Sequence, residues 1–229
     1  MRGDVAKPIY SITPFTLLDY PHKTACILWF AGCNMRCLYC YNPDIVLGKG
    51  KLSFQEALNF LKTRINLLDG VVLSGGECTL HKNCIKLVIE IKKMGLLVKI
   101  DTNGTAPKIL ETLINEKLID YVALDFKAPT DKFESITNSK LYSKFICSLK
   151  LLINSKIPFE VRTTLHSSLL VQNDIQKMIN VLEKFDYKGS YYLQKFMNDT
   201  ETLAGIENSI HNTINVSSLN TKLSVVLRN

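Results

Sequence analysis

Short apolar runs alternate with longer stretches of helical spacing along almost the whole chain, the pattern of a parallel sheet covered by helices. The first run, 24–31 (TACILWFA), is apolar at nearly every position, as a strand buried on both faces must be, and it stops at Gly32. Ser53 with Glu56 reads as the capping box of a helix whose Phe54, Leu58, Leu61, Ile65 and Leu68 share one face. Gly70 leads into a strand at 71–73. A helix over 83–94 stops at Gly95 ahead of a strand at 96–100, and Pro107 opens a helix carrying Leu110, Leu113 and Leu118 before a strand at 121–126. Residues 141–155 form the next predicted helix, broken by Pro158, and 159–165 alternate like a strand. Asn173 with Gln176 caps a helix to 185, and 190–196 is the sixth strand. A weakly helical stretch, 206–214, and an edge strand, 223–227, close the pattern.

Six β/α units in about 190 residues, with no Pro/Gly/Ser-rich linker, predict one domain over 1–229. Its fold class is α/β, an incomplete (β/α)6 TIM-like barrel of parallel strands. The core lies at about 20–200, with a short segment before it and a small extension after it. Chemistry in such folds sits at the carboxyl ends of the strands, so the segments after each strand carry the candidate sites.

Composition supports a folded enzyme more than an interaction tail. Hydrophobic residues make up 46% of 229, enough for a buried core and against disorder. The start of the chain has no apolar stretch between a basic end and a cleavage site, and the longest apolar run, 25–31, is far below the roughly 18 residues a membrane helix needs. Neither a signal peptide nor a membrane segment is expected. The net charge of +7 is spread over helices at Lys92, Lys93, Lys108, Lys117, Lys177 and Lys184 without an aromatic–basic stripe, which speaks against nucleic acid. Seven cysteines cannot all pair internally, and a reducing, cytoplasmic compartment follows as the expectation.

Three of those cysteines follow the first strand. Cys33, Cys37 and Cys40 have C-x3-C-x2-C spacing and no fourth cysteine beside them. Three thiolates on a short loop suit an iron–sulfur cluster with one position left open. A structural zinc site, with His81 and Cys78 or Cys84 supplying a fourth ligand, stays open at this point. The second strand ends in Ser74-Gly75-Gly76-Glu77, where two glycines allow close approach and a carboxylate can hold an ammonium group; a plain turn would explain the glycines equally. The third ends in Asp101-Thr102-Asn103-Gly104 and the fourth in Asp125-Phe126-Lys127, aspartates that could also be simple helix caps.

With these motifs in order, the chain resembles the radical S-adenosylmethionine (radical SAM) superfamily. The resemblance implies a 4Fe–4S cluster on Cys33, Cys37 and Cys40, with S-adenosyl-L-methionine chelating the remaining iron; one electron then cleaves the sulfonium to methionine and a 5'-deoxyadenosyl radical. It further implies that Tyr39 lies against adenine and that Gly75, Gly76 and Glu77 bind the methionine amino group. Asp101, Asn103, Asp125 and Lys127 would organise ribose and carboxylate, Arg162 would be a basic cofactor contact, and Gln194 a further one. Cys78 stands where the family often has proline, a neutral departure.

The segment from Tyr10 to Pro21 (YSITPFTLLDYP), with CNMRCLYCYNP, SGGE, KIDTNG and YVALDFKAP, is similar to anaerobic ribonucleoside-triphosphate reductase activating proteins. That likeness implies hydrogen abstraction from a backbone glycine of the reductase, a glycyl radical enzyme, with a flavodoxin or ferredoxin as reductant. Such chemistry needs no acid–base set, so His22, His81, His166 and His211 are expected to be surface or satisfied core residues. Pyruvate formate-lyase activase and carboxy-deazaguanine synthase are the alternatives of the same chemistry. The latter lacks its Q-G-E-G motif here, where Pro14-Phe15-Thr16-Leu17 stands. A non-catalytic metal-binding module for nucleic acid is the alternative of another class.

Overall fold

The structure, a computed structural model, describes residues 6–210 and 213–228; His211 lies outside them. Two compact units are formed, each discontinuous in sequence. The first holds the described residues through Asn34 together with Asn42–Thr102 and Lys108–Val122; the second holds Met35–Tyr41, Asn103–Pro107 and the described residues from Ala123 onward.

In chain order the elements are β1 (Ile9–Thr16), β2 (Ala25–Phe30), α1 (Pro43–Leu47), α2 (Phe54–Lys62), β3 (Gly70–Gly75), α3 (Cys84–Lys93), β4 (Leu97–Thr102), α4 (Pro107–Asn115) and β5 (Tyr121–Asp125). They continue with α5 (Thr130–Thr137), α6 (Tyr142–Asn154), β6 (Phe159–Leu165), α7 (Gln172–Lys184), β7 (Tyr191–Lys195) and β8 (Val225–Arg228). In the first unit β2, β3 and β4 pair in parallel and β1 joins β2 antiparallel. In the second, β6, β7 and β8 pair in parallel.

Alternation explains which residues go where. Phe30 of β2 points to the helices and meets Phe54 of α2 at 6.0 Å between ring centres, while Ala25 and Ile27 join Tyr20 and Val72 in a cluster on the opposite face. On β7, Tyr191 is fully buried against Met178 of α7, so Tyr192 and Gln194 take the other face. Each Leu, Ile or Phe buried this completely contributes roughly 1.5–3 kcal/mol.

The structure departs from the sequence pattern in several elements, α1 and α5 among them, helices that the pattern does not contain. β1 is an added strand whose register breaks between Thr13 and Thr16, around Pro14, which an edge strand tolerates. α2 keeps its capping box, with the Ser53 amide donating to Glu56 Oε2 at 2.7 Å, but ends at Lys62, so Ile65 falls outside the helix and is 40% exposed. α7 starts at Gln172, two residues early, because Val171 rather than Asn173 takes the cap position, its amide donating to the Asp174 carboxylate at 3.0 Å. Residues 206–210 are not helical.

Candidate functional site

In the first unit, the ends of β2 and β3 are locked by backbone contacts that only glycine permits. Beyond the Phe30–Gly75 register pair, the Gly76 amide donates to Phe30 O at 2.8 Å and the Glu77 amide to Gly32 O at 2.9 Å. Gly75 has φ +110°, and a Cβ on Gly76 would lie 1.9 Å from the Gly32 carbonyl oxygen. The glycines are thus demanded first by the neighbouring strand end. They hold Glu77 beside Gly32, the residue before Cys33.

Glu77 is fully buried in hydroxyls. Its Oε1 accepts from Thr79 Oγ1 at 2.5 Å and from Thr102 Oγ1 at 2.8 Å. Asp101, at the end of β4, accepts from Lys99 Nζ at 2.6 Å and from Ser74 Oγ at 3.0 Å. Lys99 is itself 2% exposed, so the pair is nearly dry and each charge depends on the other. Sequence reading missed Lys99, Ser74, Thr79 and Thr102. Lys99 carried a signal, a charge inside an otherwise apolar strand run.

Cys78 is more than a neutral departure. Its buried Sγ lies 3.7 Å from Leu73 O and 3.8 Å from Asp101 O, spanning the ends of β3 and β4, and the neighbouring Cys84 thiol together with burial pushes its pKa well up. Cys26 and Cys84 are buried and Cys147 is exposed on α6. Burial pushes the Cys26 thiol to about 12.

In the second unit the cysteine loop is sewn down by its backbone. Arg36 and Leu38 amides donate to Thr137 O (2.8 Å) and Ile136 O (3.0 Å), carbonyls at the C-terminal end of α5 that the helix itself leaves unsatisfied. Asn138 takes the left-handed conformation, φ 50°, that closes this end. On the other side, Leu203 N donates to Cys40 O at 3.0 Å. Tyr41 Oη accepts from Met197 N at 2.8 Å. α5 and residues 203–204 are therefore supports that no motif announced.

Cys37 is buried, while Cys33 and Cys40 are half-buried; all seven cysteines are thiols rather than disulfides. Among the described residues, no group of three or more His, Cys, Asp or Glu side chains stands close enough to hold a metal ion; Cys33 belongs to the first unit and Cys37 and Cys40 to the second. Tyr39 is buried and its hydroxyl has no hydrogen-bond partner, a deficit of roughly 1–3 kcal/mol. Burial drives its pKa well up, against the pull of Lys127, whose Nζ is 5.9 Å from the ring centre.

Asp125, the last residue of β5, is gripped from two sides. Arg162 Nε donates to Oδ1 at 2.8 Å and Lys127 Nζ to Oδ2 at 3.0 Å. Burial would raise this carboxyl, yet Arg162 and Lys127 together hold it at about 2. A lowered folded pKa stabilises above the unfolded value near 4, and that contribution is lost as pH falls through 2. Urea midpoints are therefore expected to be insensitive to this group from pH 8 to 5. Arg162→Met is expected to cost no more than the low end of the roughly 3–5 kcal/mol for a broken buried pair, because Lys127 remains. Its acid loss of stability from this carboxyl should be smaller and complete at a higher pH than in the parent, which a urea titration across pH checks.

Gln194 pairs in register with Thr164 and shares with Arg162 the face turned away from α7. Asn103 spends its Oδ1 on the amide and hydroxyl of Thr105, at 3.0 and 2.6 Å. His81 and His166 bond the Ala31 and Glu207 carbonyls at 2.9 and 2.8 Å, and His22 adopts φ 59° in the turn after β1. No helix among the described residues is long and apolar enough to cross a membrane.

Residues 27–181 match the sequence profile of the Radical SAM superfamily. A Methanocaldococcus jannaschii protein, whose own name carries glycyl-radical enzyme activation as a provisional assignment, is 33% identical over 82% of this chain and 79% of its own. The pyruvate formate-lyase-activating enzyme of Clostridium pasteurianum is 29% identical over 76% of each chain. Among solved structures, Streptococcus suis SuiB bound to S-adenosylmethionine superposes with a TM-score of 0.65 at 11% identity, covering 86% of this chain. The anSMEcpe structure with AdoMet and a peptide superposes with a TM-score of 0.60 at 19% identity, covering 73%. This chain spans 48% and 49% of those two structures. The fold is thereby the α/β incomplete barrel of parallel strands that the sequence pattern predicts.

Proposed function

We propose that this chain, which belongs to the radical SAM superfamily, is the activating enzyme of a glycyl radical enzyme, with anaerobic ribonucleoside-triphosphate reductase as its target and a flavodoxin or ferredoxin as its reductant. Membership makes it an enzyme of the family that uses a 4Fe–4S cluster and S-adenosyl-L-methionine, which removes the non-catalytic module from consideration. The single observation that carries the activase reading is the likeness to the Methanocaldococcus jannaschii protein over 82% of the chain. The reductase target rests on the Tyr10–Pro21 segment.

In donor chemistry, the residues suit the two cofactors. Cys33, Cys37 and Cys40 offer the soft sulfur donors iron–sulfur clusters take. Tyr39 Oη is an orphaned buried hydroxyl at the centre of the same loop, a group that a polar ligand would satisfy. When bound, cluster and S-adenosylmethionine supply one electron and a 5'-deoxyadenosyl radical able to take a glycine Cα hydrogen.

The chain's own contribution is orientation and charge. Glu77, buried and fixed by two threonine hydroxyls, offers a desolvated carboxylate suited to an ammonium group. Asp101, paired with Lys99 Nζ at 2.6 Å, would accept from ribose hydroxyls; Asn103 follows it at the strand end. Lys127 and Arg162 leave a net positive charge around Asp125, suited to a carboxylate ligand. Gly75 and Gly76 set the backbone beside Glu77, and Gln194 offers a neutral amide on the Arg162 face.

The relative from Clostridium pasteurianum favours a second reading, a pyruvate formate-lyase target. The two separate on mixing the reconstituted, reduced protein anaerobically with each enzyme and recording electron paramagnetic resonance. A glycyl doublet with the reductase is expected. A doublet with formate-lyase alone would move the assignment, and none with any glycyl radical enzyme would sink it.

A further inference from the structure

We infer that a small acidic one-electron carrier protein docks on a basic concavity of the first unit, lined by Lys7 and Lys49 and flanked by Lys51 and Lys82. The inference rests on the activase reading, which demands an electron from outside.

A surface cavity of about 460 Å³ is lined by Lys7, Gly48, Lys49, Gly50, Gly32 and His81 among others. Its wall is the cysteine loop's own root. Gly32 precedes Cys33, and its amide donates to Ile45 O of α1 at 2.8 Å. The Gly48–Gly50 loop lies tight against the chain before β1, since a Cβ on Gly50 would fall 1.7 Å from Lys7 O. The rim is charged. Lys7, Lys49, Lys51 and Lys82 are exposed, and Lys51 sits 3.9 Å from the Tyr10 ring centre. Among the described residues, Asp44 and Glu56 lie close to this loop, and Glu56 is engaged by Ser53. Burial lowers the His81 pKa, so lysine rather than histidine supplies the positive charge of the rim.

The chemistry selects the occupant. Reduction of a 2+ cluster core to 1+ requires one electron, which a flavin hydroquinone supplies in becoming a semiquinone. Such a carrier must bring its redox group near the cluster ligands and leave again, for which a charged, weakly binding face suits better than an apolar one. A rim one residue from Cys33 offers the short path.

The test uses a flavodoxin as probe and reads binding as well as electron transfer. Affinity of the loaded full-length protein for oxidised flavodoxin should fall as salt rises. Lys7→Glu/Lys49→Glu/Lys82→Glu should weaken binding and the second-order reduction rate by about 10- to 100-fold and flatten their salt dependence. Melting temperature guards against misfolding, and Lys49→Gln/Lys82→Gln should give a smaller change in the same direction. Cleavage of S-adenosylmethionine driven by dithionite should stay unchanged in all variants. Parent-like flavodoxin affinity in the triple variant would overturn the docking face. So would slower glycyl-radical formation with unchanged flavodoxin reduction, which would give the face to the protein substrate. Failure of dithionite-driven cleavage in the parent would instead strike the activase reading itself.

Discussion

Alanine at Cys33, Cys37 or Cys40 is expected to abolish cluster assembly and, with it, reductive cleavage of S-adenosylmethionine to background. In the proposed ligand set each sulfur is one of three protein donors, and a cluster lacking a fourth protein ligand would have no spare one. The loss should be chemical rather than structural. The loop is held by backbone bonds from Arg36 and Leu38 to the end of α5 and from Leu203 to Cys40 O, none of which involves a thiol. Cys33 and Cys40 are half-buried, so trimming them leaves little cavity. Metal-free variants at these two positions should therefore melt close to the parent. Cys147→Ala, exposed on α6, should retain both cluster and cleavage. Iron analysis, visible absorbance and 5'-deoxyadenosine release read the outcome, and full cleavage by any one of the three alanine variants would contradict the ligand set.

Gly76→Ala is expected to be strongly damaging to the strand ends of the first unit. The added Cβ would meet Gly32 O at 1.9 Å and Gly32 C at 2.6 Å, atoms of backbone that cannot rotate aside. Either β2 or β3 must then shift at its end, breaking the Gly76–Phe30 and Glu77–Gly32 bonds. Overpacking of this kind costs roughly 1–3 kcal/mol, and here the top of that range is expected, about 6–12 °C in melting temperature for a chain of this size. Because the displaced backbone carries Glu77 and adjoins Cys33, S-adenosylmethionine binding should weaken as well. Thermal denaturation and equilibrium binding check both halves. A variant melting within a degree of the parent would show that the strand ends are looser than their hydrogen bonds imply.

The parallel strands were legible because burial on both faces writes near-continuous apolar runs such as Ala25–Phe30, and the motifs were legible because they follow strand ends. What escaped notice lacked one of those two signals. β1 mixes polar and apolar residues around Pro14, which only an unpaired edge tolerates. α5 is eight residues with only Phe133, Ile136 and Thr137 buried, too short for a periodic stripe, yet its carbonyls hold the cysteine loop. The partners of the motif residues were hidden for another reason. Lys99 with Asp101 and Arg162 with Asp125 meet across two and 37 positions, and which carboxylate a cation finds is decided by register, not by spacing.

The claim at the centre of this account is that the enzyme takes a hydrogen atom from a backbone glycine of a partner protein. The direct measurement pairs it with anaerobic ribonucleoside-triphosphate reductase carrying glycine deuterated at Cα, under reducing conditions with unlabelled S-adenosylmethionine. Deuterium in the released 5'-deoxyadenosine, together with a glycyl signal whose doublet splitting is preserved only in the protonated partner's control by the remaining α-hydrogen, is the predicted result. Unlabelled 5'-deoxyadenosine would contradict it.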